Sequence, residues 1–154
     1  MNIFVLSENI KEAAEWHVDR HVVKMPLESA QMLCTALIIN GCNDVAYKPA
    51  HVKHPCTLWA AATRSNFEWL CRLGVELCSE YTYRYGREHA SEKVIRSCHE
   101  KCSNIPAGVL TSFAQAMPIE YKGECAITAY RLYYVKGKSH LASWKNRSKP
   151  CWFL

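Results

Sequence analysis

The stretch HVDRHVVKMPLE, residues 17–28, carries more structural information than any other part of the chain. At 100° per residue, a helix would place His17, His21, Lys24 and Glu28 within about 60° of one another. The remaining positions are almost all apolar, which is typical of a buried helix. Polar groups on such a helix must find partners inside the protein or open onto a pocket. We therefore predict these four side chains as catalytic residues.

This residue set suits proton transfer near neutrality by histidine, attack by a lysine amine and a carboxylate base. The structural alternative is a His–Lys–Glu hydrogen-bond network that fixes helix packing. A helix break at Pro26 would also turn Glu28 away from the other three residues. Two histidines four residues apart could bind a metal, but the glutamate of a His-Glu-x-x-His motif is absent because Val18 follows His17.

The hydrophobic periodicity predicts a mainly α protein, a single-domain helical bundle over residues 1–154. The predicted helices run from residue 8, capped by Ser7, to residue 25, then over residues 26–39, 57–63, 65–85, 91–102 and 124–136. A Ser65–Glu68 capping box would begin the fourth helix, and Gly86 would end it. Residues 1–6 are apolar and could form a short extended segment or a strand.

The composition narrows the class of protein. The 154 residues are 49% hydrophobic and 21% charged, which excludes a disordered or collagen-like chain. No Gly-rich phosphate loop or Gly-x-Ser-x-Gly elbow is present, so kinase, P-loop, Rossmann and serine hydrolase functions lack support. No uninterrupted apolar run reaches the length of a membrane span, and residues 1–7 are too short for a signal peptide. We expect a soluble cytoplasmic protein without a membrane partner.

Charge is distributed unevenly along the chain. The net charge is +5, yet residues 121–154 contain seven Lys and Arg against Glu124 alone. The same segment is rich in Tyr and Trp. Cations interleaved with aromatic faces suit a nucleic acid or nucleotide partner. The alternative is a C-terminal segment whose aromatic side chains pack inward while its lysines reach solvent.

The nine cysteines show no recognisable disulfide or zinc-binding pattern. Their number is odd, and no Cys-x-x-Cys pair occurs. Cys98 and Cys102 are four residues apart, but a zinc site would need two more ligands from distant positions, such as His51 or His89. We predict no metal or other cofactor, and most of these cysteines should act as small hydrophobic residues.

Two further clusters supply candidate binding residues. His51–Cys56 precedes a predicted helix, where free N–H groups can meet an anion. Residues 80–89 combine tyrosines with arginines, a pairing that suits phosphate and base contacts. Together with the C-terminal segment, these clusters give the predicted nucleic-acid or nucleotide contacts: His54, Arg64, Arg84, Arg87, Arg131, Tyr134, Lys138, Trp144 and Arg147.

Motifs spread over almost the whole chain resemble a family of small tailed-phage proteins. They are MNIFVL (1–6), DRHVVKM (19–25), HPC (54–56) with Trp59-Ala60, EYTYRYG (80–86), FAQAMP (113–118), Ala129-Tyr130-Arg131 with Tyr133-Tyr134, and Trp144 with Arg147, Pro150 and Trp152. This family is distantly similar to the endonuclease V type of pyrimidine dimer DNA glycosylase, a compact all-helical enzyme of phage repair.

The resemblance implies a DNA glycosylase with lyase activity on damaged or modified pyrimidines, acting in the cytoplasm of an infected host cell. In that enzyme family a free N-terminal amine attacks the sugar carbon and a glutamate stabilises the imine. Here the amine would belong to Met1, because Asn2 is bulky enough for Met1 to be retained. The family's Arg-Glu pair is absent, so Asp19 or Glu28 would have to replace its glutamate. Lys24 could replace the amine as nucleophile if it is buried.

Two other functions fit the same residues. One is a phage counter-defence protein that sequesters a nucleotide signalling molecule without turnover. The other is an inhibitor that binds a host protein through an aromatic surface. The sequence leaves the oligomeric state open.

Overall fold

A computed structural model describes all 154 residues, and its regular secondary structure consists of helices alone, without a strand. The six α-helices are α1 (Ile10–Glu15), α2 (Asp19–Ile39), α3 (Pro55–Ala62), α4 (Arg64–Tyr85), α5 (Glu92–Glu100) and α6 (Ala126–Gly137). Short 3-10 turns occur at Cys102–Asn104, Ile119–Tyr121 and Ser139–Leu141. The predicted all-α class is therefore confirmed.

Helices α2 and α4 are the two longest and pack against each other at the centre of the protein. Helices α3 and α5 each contact both of them, and α1 packs on α4. One continuous hydrophobic core joins these helices to residues 3–6 and to α6. Within it the thiols of Cys34 on α2 and Cys98 on α5 lie 3.6 Å apart, and all nine cysteines are free.

Residues 1–7 have no regular secondary structure, so the N-terminal segment is not a strand. Ile3, Phe4, Val5 and Leu6 are all buried, so both sides of this segment are covered by protein. This explains four consecutive apolar residues where a half-exposed strand would alternate. Arg131 on α6 donates a hydrogen bond to the Leu6 carbonyl, at 2.9 Å. The segment is thereby attached to α6.

The predicted helix over residues 8–25 is wrong in its extent. Asn9, rather than Ser7, caps α1 by accepting a hydrogen bond from the Glu12 amide. The chain then leaves the helix between Trp16 and Val18, and α2 begins at Asp19. His17 therefore precedes α2 instead of lying on it.

Helix α2, by contrast, continues through Pro26 without interruption. Glu28 consequently stays on the helix face that carries His21 and Lys24. The helix is long and apolar enough to span a membrane by length and composition, with a mean hydropathy of 1.4 over 18 residues. However, 67% of that window is buried inside the protein, as in the core helix of a soluble domain.

The fourth predicted helix is confirmed in its course and its end. Thr63 rather than Ser65 caps α4, accepting a hydrogen bond from the Asn66 amide. Gly86 ends the helix in the left-handed region at φ +70°, a conformation that glycine adopts without steric cost.

Candidate active site at the amino terminus

A cavity of about 200 Å³ opens where the N-terminal segment, α2 and the end of α6 meet. Its wall combines a buried carboxylate, a histidine, two lysines and aromatic rings. The lining residues are Met1, Asn2, Phe4, His21, Lys24, Met25, Glu28, Ala116, Tyr133 and Lys138. Three of the four predicted catalytic residues therefore face one cavity, together with a predicted binding residue, Lys138.

The amino group of Met1 is ion-paired with Glu28 in this cavity. Its nitrogen lies 3.1 Å from Glu28 Oε1, and the Glu28 side chain is only 9% exposed. Lys24 Nζ approaches the same oxygen at 3.8 Å. Glu28 Oε2 is buried and has no hydrogen-bond partner. An amine and a carboxylate are thus held in contact, and the second carboxylate oxygen is buried without a partner.

Lys24 lies at the cavity rim rather than within the wall. Its side chain is 63% exposed, so the burial that would make it the nucleophile is absent. Lys138 approaches the rim from the end of α6, with Nζ 5.3 Å from the centre of the Tyr133 ring. The mouth of the cavity therefore has a cation on either side.

His21 is held rigidly in the cavity wall. Its ring stacks on Phe4 at 4.3 Å, and its Nδ1 is hydrogen-bonded to the buried Tyr134 hydroxyl at 2.7 Å. Burial, together with repulsion between the protonated forms of His17 and His21 and the positive charges of Lys138 and Lys24, lowers the His21 pKa to about 3. The ring is therefore neutral at neutral pH, and Nε2 has no partner within the protein.

His17 lies behind His21 and does not reach the cavity. The two rings are 6.4 Å apart, and His17 is completely buried. Its Nδ1 donates to the Ala13 carbonyl at 2.7 Å, which leaves Nε2 as an acceptor without a partner. Burial lowers the His17 pKa to about 4. His17 is thus a neutral core residue beside the site.

The His51–Cys56 loop meets the site from the other side of Met1. His54 caps α3 by accepting a hydrogen bond from the Cys56 amide at 3.1 Å. Burial and the positive charges of the Met1 amine and His51 lower the His54 pKa. Two clusters that are separate in the sequence therefore converge at the amino group.

Asn2 and Tyr130 are positioning residues that the sequence prediction missed. The Asn2 side chain donates to the Ala116 carbonyl at 2.8 Å and accepts hydrogen bonds from the Tyr130 hydroxyl and the Ile3 amide. These bonds fix the backbone next to the amine. The signal that could have identified Asn2 is a single amide side chain at the start of an apolar run.

Arg84 and Arg147 form an internal charge network instead of facing the cavity. The Arg84 side chain is fully buried and bonds to Glu80, Asp19 and the backbone carbonyls of Glu15 and His17. Arg147 makes a bidentate pair with Glu80 at 2.9 and 3.0 Å. The pKa of Glu80 is lowered, because the bonds from both arginines outweigh the effect of burial, which raises it.

The aromatic residues of the C-terminal segment also pack inward. Arg131 lies between the rings of Trp16 and Trp152, at 5.1 and 5.4 Å from their centres. Trp144 donates its indole N–H to the Trp16 carbonyl at 2.9 Å. Arg131 and Trp144, two of the predicted binding residues, therefore make contacts inside the protein and hold this segment against Trp16 at the end of α1.

The remaining two predicted arginines lie away from the site. Arg64 donates to three backbone carbonyls between residues 102 and 105. Arg87 is exposed and donates to the Tyr81 hydroxyl at 2.8 Å. Lys138 is therefore the predicted cation that the structure brings to the cavity beside the α2 residues, and Tyr134 supports His21 from behind.

A larger open groove of about 720 Å³ lies between the start of α1, α4 and α5. It contains cations such as Arg72 and Arg96 together with acids such as Glu8 and Glu76. No buried amine–carboxylate pair lines it, so the smaller cavity is the better candidate active site. No group of three or more His, Cys, Asp and Glu side chains is arranged to hold a metal ion.

Comparisons of the chain with protein-family models, with curated proteins and with solved structures find no match.

Proposed function

We propose that this protein is a phage-encoded DNA glycosylase with lyase activity on damaged or modified pyrimidines, with the free α-amine of Met1 as nucleophile. The observation that carries the proposal is the 3.1 Å contact between this amine and Glu28 inside a cavity. Nucleophilic catalysis by an amine needs a neighbouring group that can move its protons, and Glu28 Oε1 is in contact with the amine for this purpose. The resemblance to phage repair proteins supports the same reaction.

The chemistry uses groups already in contact. The unprotonated amine attacks the sugar carbon C1′, the bond from C1′ to the base nitrogen breaks, and the base leaves with a proton. Opening of the sugar ring then gives an imine between C1′ and the amine nitrogen. Loss of a C2′ proton expels the 3′ phosphate, and water finally releases the sugar from the protein. Glu28 is placed to exchange protons with the amine and with the ring oxygen.

The cavity residues support this reaction through their charge states. Neutral His21 adds no positive charge that would disfavour an ammonium or imine cation beside it. Lys24 and Lys138 at the rim suit the phosphates on either side of the target sugar. The cavity volume of about 200 Å³ accommodates one pyrimidine nucleotide at a time.

Borohydride trapping tests the proposal directly. The protein is incubated with duplex DNA that carries an oxidised or dimeric pyrimidine, and sodium borohydride reduces any imine to a stable protein–DNA adduct. We expect an adduct whose cross-linked peptide contains Met1. Glu28→Gln should reduce its yield at least about a hundredfold, whereas the rim variant Lys24→Gln should still form it. The intact mass of the protein identifies the residue that carries the free amine.

Two outcomes would refute the proposal. One is the absence of any adduct with lesion-bearing duplexes under conditions in which the protein binds them. The other is an adduct that forms at Lys24 and disappears in Lys24→Gln. Acetylation of the α-amine is the matched chemical control, because it leaves every side chain of the cavity in place.

A second candidate function is sequestration of a small nucleotide without turnover. The specific observation in its favour is that Arg84, Arg131 and Arg147 bind protein groups, which leaves fewer free cations for a long polyanion. Phe4 and Tyr133 would stack the base, and the two rim lysines would hold phosphates. Calorimetric titration with mononucleotides and cyclic dinucleotides tests it, and tight binding without product would favour it over the glycosylase.

A further inference from the structure

Two apolar side chains are exposed on helix α2 close to the cavity mouth. Val23 and Leu27 are 44% and 41% exposed and lie four residues apart, so they are neighbours on the helix surface. At 100° per residue, Leu27 lies about 60° from Lys24, on the side opposite to His21 and Glu28. The exposed apolar strip is therefore separated from the cavity by the rim lysine alone.

The charges around this strip are positive. Arg20 and Lys24 are exposed on the same sector of α2, and Lys138 lies across the mouth. Both acids of α2 are already paired. Glu28 pairs with the Met1 amine, and Asp19 accepts hydrogen bonds from Arg84, Ser143 and the Lys145 amide. An apolar ridge with cations along its cavity side complements the base steps of a nucleic acid duplex and the phosphates beside them.

An apolar ridge beside the cavity would assist a nucleotide in leaving the duplex and entering the cavity. The side chains of Met1 and Glu28 are only 4% and 9% exposed, so a nucleotide can bring its sugar against both groups only after leaving the base stack. Extrusion leaves a gap in the duplex and costs the stacking energy of the neighbouring bases. Proteins that deform duplexes commonly fill such gaps with leucine, isoleucine or another apolar side chain.

We infer that Leu27, supported by Val23, is the wedge that enters the base stack when a nucleotide is extruded into the cavity, while Arg20 and Lys24 hold the adjacent phosphates. This inference rests on the proposed function, because it assumes double-stranded DNA as the partner. It assigns a positioning role to residues that touch neither the amine nor the target sugar.

The test compares one lesion in two contexts, duplex and single strand. Single-strand DNA has no partner strand to hold the target nucleotide in the base stack, so Leu27 should contribute little to its extrusion. We expect Leu27→Ala to slow single-turnover trapping on the duplex at least about tenfold, with less than about threefold loss on the single strand. Ile39→Ala is the matched control, since Ile39 is 41% exposed at the far end of the same helix and should leave both rates unchanged.

A fluorescence measurement tests the wedge independently of the glycosylase reaction. With 2-aminopurine next to the lesion, binding of the unmodified protein should raise the fluorescence by unstacking, and Leu27→Ala should raise it less. Equal losses of trapping in both DNA contexts would overturn the wedge, as would an unchanged duplex rate or no fluorescence rise with the unmodified protein. A rise in fluorescence without any protein–DNA adduct would instead refute the proposed glycosylase activity and still support the role of Leu27 as a wedge.

Discussion

Lowering the pH from 7.5 to 5.0 is expected to destabilise the protein through His17 and His21. Both histidines are buried, and both are neutral in the folded state because burial disfavours the imidazolium form. An unfolded chain exposes them to water, where the pKa is about 6.5. The unfolded state therefore takes up protons first as the pH falls, and stability is lost from about pH 6.5 downward.

The size of the effect follows from the two pKa values. With folded-state pKa values of about 4 for His17 and about 3 for His21, each histidine should cost about 2 kcal/mol at pH 5.0. Together they should remove about 4 kcal/mol, a large part of the 5–15 kcal/mol typical of a domain. Asp19 and Glu80 contribute little in this window. Their pKa values are lowered in the folded state, and the ordinary carboxyl pKa values of an unfolded chain, about 4, lie below pH 5.0.

Urea unfolding at pH 7.5 and pH 5.0 measures this difference. His17→Asn keeps a side-chain N–H near the position of Nδ1 but does not titrate, so the difference between the two pH values should fall by about half. His140→Asn is the control, since His140 is exposed and the variant should keep the full difference. This account would be refuted if His17→Asn kept the full difference in unfolding free energy between the two pH values, or if the unmodified protein showed no difference.

Three further predictions concern stability at neutral pH. Arg84→Ala should reduce the free energy of unfolding in urea by about 3–5 kcal/mol, because it leaves the Glu80 carboxylate in the interior without one of its partners. Tyr134→Phe should cost about 1–2 kcal/mol by removing the buried hydrogen bond to His21, again by urea unfolding. Gly86→Ala should lower stability by about 1 kcal/mol in thermal unfolding, because alanine is strained at φ +70°.

Two of these variants, Arg84→Ala and Gly86→Ala, have a control elsewhere in the chain. Arg87→Ala removes an exposed guanidinium near the end of the same helix region and should change stability by less than about 0.5 kcal/mol. Gly123→Ala places a methyl group in open space and should be close to neutral. If Arg84→Ala were as mild as Arg87→Ala, the internal charge network would not stabilise the fold. If Gly86→Ala lowered stability no more than Gly123→Ala, the left-handed backbone at position 86 would not strain alanine.

The helical fold was predictable because it depends on local patterns, but the break at Trp16–Val18 was not. No Gly or Pro marks it. The carbonyls of Glu15 and His17 bond to Arg84, and that of Trp16 bonds to the Trp144 indole. These partners are far away in the sequence and satisfy groups that would otherwise continue the helix. A tertiary network therefore overrides the local pattern.

The candidate site was predictable only in part, for a similar reason. Helical spacing brings His21, Lys24 and Glu28 to one face, and Pro26 does not disturb it. Spacing contains no information about the Met1 amine or Lys138, which reach the cavity through the packing of the N-terminal segment against α6. The strongly basic C-terminal segment was expected to face a polyanion. Two of its cations instead contact an acid and an aromatic ring from earlier in the chain, Glu80 and Trp16.

The cavity joins the two ends of the chain, and this affects the order in which the protein can fold. Asn2 bonds to Ala116, His21 to Tyr134 and Asn2 to Tyr130, across 114, 113 and 128 residues of sequence. Closing such long loops costs more entropy than pairing α2 with α3 or α4 with α5, and distant contacts form slowly. The helical core should therefore assemble first and the cavity last. During refolding, helical circular dichroism should recover before the amine of Met1 becomes protected from acylation.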